Sequence, residues 1–532
     1  MKMQISLFLL SLALAGSDAF VVPRVPVAPV VVTSHPVSLA PRSVILRRHP
    51  NSKLSATVTA GTQEDDAPED EPGIWPNGDE LDKRLMKIAI PMTITFLVTP
   101  LMGYIDLFWV NRMGNPLAVA GQAASNQIYN TAFWLASFLP SVTATMVAKD
   151  FASGDNDAVQ DSVCQALFVG ILIAAIATPL LFFRPEAGLV SVLKGSAPAM
   201  KYAKPYLMIR AFAFLPGILS LVGFSAYRGT LDMVTPTKLV FLTNFLNAIL
   251  DPIFIFSCKM GVSGAALATL VAEVVAAVTY VVLLFKKNFI SIKKIFRLPA
   301  WAKLEPLIRG GFGSTMRLLA MNITFLAVAR VTQGMDPTGV AAAAHALALQ
   351  TFQMGGVVLF ALSTVAQAVI PAEMVVKKDE ITGKTQGGIK AARATSNRIM
   401  SWGLLAGIFL GAAQVAALPF IFKATPMENV RSAARTPAIV ASILQAINGL
   451  VFVGEGVMTG CQNFLQLALS TCIATAGSLW ALQVFPARYG LTGVWMGFGV
   501  FNLLRLAGVW IHQFYTSPIT PQKVREAEAS SA

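Results

Sequence analysis

Asn247 and Asp251 lie four residues apart in LNAILDPIF, a stretch (246–254) inside an apolar run from Leu239 to Ser257. On a helix they share one face. A carboxylate at mid-bilayer costs about 2.5–3.5 kcal/mol on insertion scales, so such a residue normally faces a cavity, a partner or an ion path. Pro252 follows at once. It has no backbone N–H to donate and would free a carbonyl one turn back, around Ala248. Asp106 ends an earlier apolar stretch, in PLMGYIDLFWVNRMG, and offers a second carboxylate. Two carboxylates, an amide and a freed carbonyl are chemistry for sharing a proton or holding Na⁺.

Other ionisable residues occur within or near apolar stretches: Glu273, Glu455, His345, Arg210, Arg317, Arg330 and Arg505. Glu455, His345 and Glu273 form a candidate secondary polar site, with Glu455 and His345 in the second half of the chain. Blander roles stand beside these. Asp106 is near a span end, where a carboxylate can cap or snorkel, and Glu273 can be the buried partner of an arginine. A histidine in the alanine-rich AAAAHALALQ is more often a packing hydrogen bonder than a proton relay, and arginines most often anchor loops.

The elements that must position these groups are membrane spans. Of 532 residues, 55% are hydrophobic and 13% charged, and the mean hydropathy is +0.62. A soluble chain carries about 25% charge. The net charge of +13 therefore reflects loops facing one compartment rather than nucleic-acid binding. Cys164, Cys258, Cys461 and Cys472 lie in or beside apolar runs without CxxC spacing, so neither a disulfide framework nor a metal site is expected. HExxH, GxSxG and Gly-rich nucleotide-loop motifs are missing, which argues against an enzyme.

Twelve spans are expected, near 86–109, 116–148, 161–183, 203–229, 236–257, 263–285, 308–332, 338–372, 398–422, 436–460, 464–486 and 491–513. The fold class is an all-α polytopic membrane protein, with two six-helix lobes related by an internal repeat. GVSGAALATL (Gly261–Leu270) pairs with GLTGVWMGFG (Gly490–Gly499), 229 residues later. RGTLD (Arg228–Asp232) pairs with TGCQN (Thr459–Asn463), 231 residues later. NPLAVAGQAASNQ (Asn115–Gln127) likewise echoes DPTGVAAAAHALALQ (Asp336–Gln350). Paired halves are a transporter pattern. The expected organisation is an N-lobe over 85–290, a basic amphipathic linker over 291–309, a C-lobe over 310–515 and a polar tail over 516–532. With twelve spans, the tail and the most basic loops fall on one side, which the positive-inside rule assigns to the stroma, or to the cytosol if the plastid targeting fails.

The beginning of the chain is an address. Residues 1–19 read as a signal peptide, 20–58 as an arginine-bearing transit peptide poor in acids, and 59–84 as an acidic tether. Phe20 directly after the expected cut resembles the bipartite presequences of complex red-lineage plastids. The plasma membrane or an endomembrane is the alternative destination.

From Leu85 to about Gln513 the chain resembles the multidrug and toxic compound extrusion (MATE) family, in its DinF-like and plant chloroplast-envelope branch. The stretches that carry the resemblance are DLFWVNRMG (Asp106–Gly114), RGTLDMVTP (Arg228–Pro236), LNAILDPIFIF (Leu246–Phe256), and Ala341–Met374 with GEGVMTG (Gly454–Gly460). The resemblance implies cation or proton coupling at Asp106, Asn247, Asp251 and Thr269. It also implies a secondary antiporter that exports an organic metabolite or xenobiotic in exchange for H⁺ or Na⁺, with no cofactor beyond that ion. A small organic substrate, an aromatic acid or amphipathic compound, membrane lipids as surroundings and a monomeric state are expected. Leu221 and Phe224 stand where some members have amide side chains, so the N-lobe cavity is expected to be less polar. The alternatives are a lipid-linked precursor flippase of the same superfamily and a membrane channel.

Overall fold

A computed structural model describes residues 73–531 apart from 134–135, 191–192, 194–197, 296–300, 337–339, 379–384 and 424–427. The expected presequence and most of the acidic tether lie outside the described residues. The first span, Glu80–Asn111, starts at an Asp79 cap whose side chain accepts the Asp82 N–H at 3.0 Å. This cap satisfies one of the donors a helix N-terminus leaves open. The second span is broken into Pro116–Phe133 and Leu139–Ala152, with Pro140 in the first turn of the second piece. The third, Asn156–Phe183, is capped by Asp155. The fourth bends by 47° between Met200–Phe212 and Phe214–Gly229. The fifth, Val234–Pro252, continues as a π turn, Ile253–Ser257, and the sixth is Val262–Lys286.

The second lobe repeats the plan. Its spans are Trp301–Gly334, Val340–Glu373, Ile389–Lys423, Glu428–Gly460 and a long helix Phe464–Ile511, which Gly490 divides into two. Eight of these helices are long and apolar enough by themselves to cross a membrane. The first span Glu80–Asn111, the broken second, the bent fourth and the division at Gly490 bring the total among the described residues to twelve. The basic interlobe segment is shared between a short helix, Ile292–Ile295, and the opening turns of the seventh span. Lys377–Lys378 and Thr385–Gln386 form a two-residue antiparallel ladder in the loop after the eighth.

The internal repeat is written in the backbone. Gly261 and Gly490 both take a left-handed turn (φ 59° and 55°), which a side chain would strain. Leu231 and Gln462, paired by the RGTLD and TGCQN alignment, also share it (φ 61° and 59°). Asp232 N–H bonds to the Tyr227 carbonyl, and Asn463 N–H bonds to the Met458 carbonyl in the same pattern. Gly264 lies against the backbone of Phe254, and Gly493 against that of Phe485, so each helix hairpin closes on a glycine.

Each lobe has its own core. The N-lobe core gathers Leu139, Leu167, Phe214, Ile218 and Tyr227. The C-lobe core gathers Phe352, Leu444, Trp495, Phe498 and Phe501. A third cluster crosses between them, with Leu85, Ile88, Ala89 and Met92 of the first span packed on Leu362, Val365, Ala366 and Val369 of the eighth. Large apolar side chains such as Ile176, Phe183, Phe409 and Phe420 project outward as lipid-facing surface.

Candidate functional site

The N-lobe brings Asp106, Asn247 and Asp251 together from opposite ends of the lobe's sequence. Asn247 Nδ2 donates to Asp106 Oδ1 at 2.8 Å, linking the end of the first span to the fifth. Asp251 is fully buried and receives no N–H or hydroxyl donor; the Asp106 carboxyl is within reach to share a proton with it. Asn247 Oδ1 is likewise buried and unpartnered. Asp106 is the charged neighbour of Asp251. A buried carboxylate without donors is an unbalanced charge, and a bound proton or a small cation removes it. Two carboxylates and an amide carbonyl are hard oxygen donors suited to either. Pro252 gives the Ala248 carbonyl no N–H, and the π turn after it rewinds the helix just beyond Asp251. Single π turns of this kind often mark functional sites in helices.

Thr269 stands on the sixth span, and its hydroxyl donates to the Ala265 carbonyl at 3.0 Å. Glu273, one turn further, belongs to a neighbouring ion pair: Arg210 Nη1 donates to Glu273 Oε1 at 3.0 Å. The Arg210 guanidinium also lies over the Tyr129 ring, 4.1 Å from its centre, and acts electrostatically on Asp106. Arg210 thus stands between the acid pair and Glu273. The sequence signal for this role was a cation inside the fourth span, the same signal a loop anchor gives.

The C-lobe polar centre is built differently. Glu455 of the tenth span is 4% exposed and sits between two guanidinium groups. Arg505 of the twelfth, 3% exposed, meets it with two parallel bonds, Nε to Oε1 at 2.7 Å and Nη2 to Oε2 at 2.8 Å. Arg317 of the seventh adds one bond, Nη2 to Oε2. Asn502 accepts from Arg505 Nη1, and the Phe452 and Phe501 rings flank its guanidinium. His345 is elsewhere in the lobe. It sits in an apolar pocket with Phe325, Val328, Leu349, Trp495 and Phe498, its Nδ1 buried and unpartnered. The three residues grouped as a secondary polar site therefore occupy three separate places.

Between the lobes, the cross-contacts gather where the first span begins. Arg84 pairs with Glu373, Arg228 Nη2 reaches Gln367 at 3.4 Å, and the Phe96 and Phe360 rings lie 5.2 Å apart. Below them Arg398 of the ninth span, wholly buried, donates to the Gly73 carbonyl, Asn77 Oδ1, Asp79 Oδ2 and Asp82 Oδ2 at 2.7–3.0 Å. Trp402 Nε1 donates to the other Asp82 oxygen at 2.7 Å. The lobes are thus shut on the side that carries the basic loops.

The chain is similar to known proteins. The MatE family model matches residues 91–253. Protein DETOXIFICATION 44, chloroplastic, of Arabidopsis thaliana is 28% identical over 477 residues, 86% of each chain. DNA damage-inducible protein F of Escherichia coli strain K12 is 25% identical over 456 residues, 81% of this chain and 92% of its own. A crystal structure of a MATE mutant superposes with a TM-score of 0.72 at 18% identity, covering 86% of this chain and 98% of its own.

Proposed function

Because the chain belongs to the multidrug and toxic compound extrusion (MATE) family, we propose that it is a secondary antiporter exporting an organic metabolite or xenobiotic in exchange for H⁺ or Na⁺. It is an integral multi-pass membrane protein, and its setting is the plastid envelope, in keeping with its chloroplastic relative. The observation that carries the antiport reading is Asp251: a fully buried carboxylate with no hydrogen-bond donor, beside Asp106 and Asn247. Such a group is stable when it holds a proton or cation and costly when it does not.

Coupling follows from differential binding. The ion binds a site built from the first and fifth spans, and the first span also carries the interlobe packing through Leu85, Ile88 and Met92. An ion that favours one arrangement of the first span therefore biases the lobe junction. The substrate enters the cleft between lobes and leaves on the other side when the junction opens. No cofactor beyond the coupling ion is required. The same residues bear on the flippase alternative. Of the two arginines that bear on it, Arg505 is buried in a forked pair with Glu455, whereas Arg317 shares that carboxylate through one bond and is 20% exposed.

The test is efflux from proteoliposomes under imposed pH or Na⁺ gradients, using a panel of fluorescent organic cations and radiolabelled aromatic acids. Asp251→Asn protein should lose gradient-driven efflux while retaining downhill exchange. Unchanged gradient-driven efflux would falsify the coupling role.

A further inference from the structure

The Arg210–Glu273 pair of the N-lobe is half made. Arg210 Nη1 donates to Glu273 Oε1 at 3.0 Å, while Arg210 Nε and Glu273 Oε2 are buried without partners. The C-lobe pair of Arg505 and Glu455 is complete, with two parallel bonds. A forked guanidinium–carboxylate pair is both stronger and more closely fixed than a single bond. Arg210 therefore keeps a donor in reserve, and it also acts on Asp106 of the acid pair.

Its place in the fold is a break shared by two spans. The fourth span bends by 47° between Met200–Phe212 and Phe214–Gly229, and Arg210 stands in the last turn before the bend. Pro216 has no N–H for the Phe212 carbonyl, which accounts for the bend. Just beyond it, Gly217 comes so close to Glu273 that a Cβ there would stand 3.2 Å from Oε2. Both halves of the fourth span thus meet Glu273. The second span breaks at the same level: its first piece ends at Phe133, whose ring is in edge contact with Phe214. Tyr129 of that piece lies beneath the Arg210 guanidinium, and an aromatic face attracts a cation without a directed bond. Other titratable groups on the surrounding elements are engaged elsewhere. Tyr206, one turn back, donates to Asn126, and Glu186 pairs with Lys204. Asp161 of the third span pairs with Lys294, and Tyr280 of the sixth packs on Gly223.

From this geometry we infer that Arg210 is a positioning residue of the coupling site, a tethered cation that competes with the coupling ion for the acid pair, and that Glu273 holds it off. The inference rests on the antiport reading above. With Arg210 drawn to Glu273, the charge on Asp106 and Asp251 is left for the ion. With Arg210 released, its spare donor turns to Asp106 and the ion is displaced. The bend between Arg210 and Gly217 sets that partition, so a change in the angle of the fourth span is felt at the ion site as a change in affinity.

The cation affinity of the acid pair, measured at equilibrium on the purified full-length protein without gradient or substrate, tests this. The proton is the probe. Infrared difference spectra followed against pH give the midpoint of the carboxyl band that Asp251→Asn removes in each background. Arg210→Gln should raise that midpoint by about one pH unit or more, a gain of about tenfold in proton affinity, because a repelling cation is gone. Glu273→Gln should lower it by a similar amount, because Arg210 is then left to the acids. Arg210→Lys keeps the charge and should stay near the wild-type midpoint. The Arg210→Gln/Glu273→Gln double variant strands no buried charge, so it guards against misfolding of the single variants. Its midpoint should lie above wild type, since it is Arg210 that acts on Asp106. Unchanged midpoints in both single variants, shifts of the same sign, or a double variant equal to wild type would each overturn the inference, as would a spectrum without an Asp251-dependent band. Because nothing is transported, loss or retention of gradient-driven efflux by Asp251→Asn leaves this result untouched.

Discussion

The two lobes share a backbone and divide the charge. The left-handed turns at Gly261 and Gly490, and at Leu231 and Gln462, recur at matching places. The polar side chains do not. Asp251 of the N-lobe corresponds, 231 residues on, to Leu482, a buried member of the C-lobe core. Glu455 of the C-lobe corresponds in the other direction to Phe224, and Arg505 to Ala276 by the 229-residue offset. One lobe buries paired acids with a single asparagine bond. The other buries one acid between two arginines. A duplicated fold whose halves carried identical charges would bind one ligand twice. This one offers a cation-holding lobe and a lobe with a positive surplus, and the first span joins them at the gate.

The largest effect should come from unbalancing the C-lobe. Glu455→Gln leaves Arg317 and Arg505 facing each other without a counter-charge, which should cost about 3–5 kcal/mol of stability. Adding Arg317→Gln to that variant should recover a substantial part. Thermal unfolding of the single and double variants in detergent measures both. A Glu455→Gln protein as stable as wild type would mean that the triad is not the balanced unit its geometry describes.

Next is the junction that both lobes use. Arg398 holds Asp79, Asp82, Asn77 and the Gly73 carbonyl from a fully buried position on the ninth span. Arg398→Gln should destabilise the protein by about 3 kcal/mol, the scale for breaking one side of a buried pair. It should also make the segment around Asn77 more open to proteolysis, which limited digestion reads directly. Protection equal to wild type would show that the clamp does not hold that segment to the C-lobe.

The N-lobe should respond oppositely to loss of its central acid. Asp251 has no donor to lose, so Asp251→Asn should change the unfolding free energy by less than about 1 kcal/mol, well short of a buried pair. The contrast with Glu455→Gln is the sharpest comparison of the lobes. Equal destabilisation by both would indicate that Asp251 is a structural group.

The parts legible in the sequence were those written locally. LNAILDPIF exposed its chemistry because an acid in an apolar run has few blander explanations, and Asp106 was found by the same rule. The repeat was legible because turn residues tolerate little change: a left-handed position must be matched by another, and Gly261 and Gly490 are. Partnership over long separations was not legible. Arg317 and Glu455 are 138 residues apart, and Arg398 and Asp82 are 316 apart. Only packing decides whether an arginine in a span anchors a loop, neutralises an acid or stands surplus. Arg210 illustrates this, since its partner Glu273 lies on another span. The break in the second span and the bend in the fourth depended likewise on how the lobe packs. A uniformly apolar stretch carries no mark of where it will bend.

The smallest effect tests the repeat at its turns. Asp232 begins the fifth span: its side chain accepts the Thr235 N–H at 3.1 Å and the Thr235 hydroxyl at 2.9 Å, with Lys287 nearby. Its C-lobe counterpart is Asn463, which does not titrate. Partial burial pushes the Asp232 carboxyl up, but the Thr235 and Lys287 bonds outweigh it and hold the group below its ordinary value. A carboxylate whose folded value is depressed adds stability above its unfolded value, about 3.9, and loses it as pH falls through the folded value. Wild-type protein should therefore lose a small increment of stability as the pH falls below about 4. Asp232→Asn keeps an oxygen for the Thr235 N–H but loses the charge, so it should remove the pH dependence at a cost of only a few tenths of a kcal/mol at neutral pH, roughly the scale of an exposed ion pair. Asn463 makes no cap bond and meets His512 Nε2 at 3.0 Å instead, so any pH dependence gained by Asn463→Asp should come through that histidine rather than through a cap. The two turns thus share a backbone shape without sharing a cap, and an Asp232→Asn protein whose unfolding keeps the wild-type pH profile would show that the Thr235 cap carries no titrating charge.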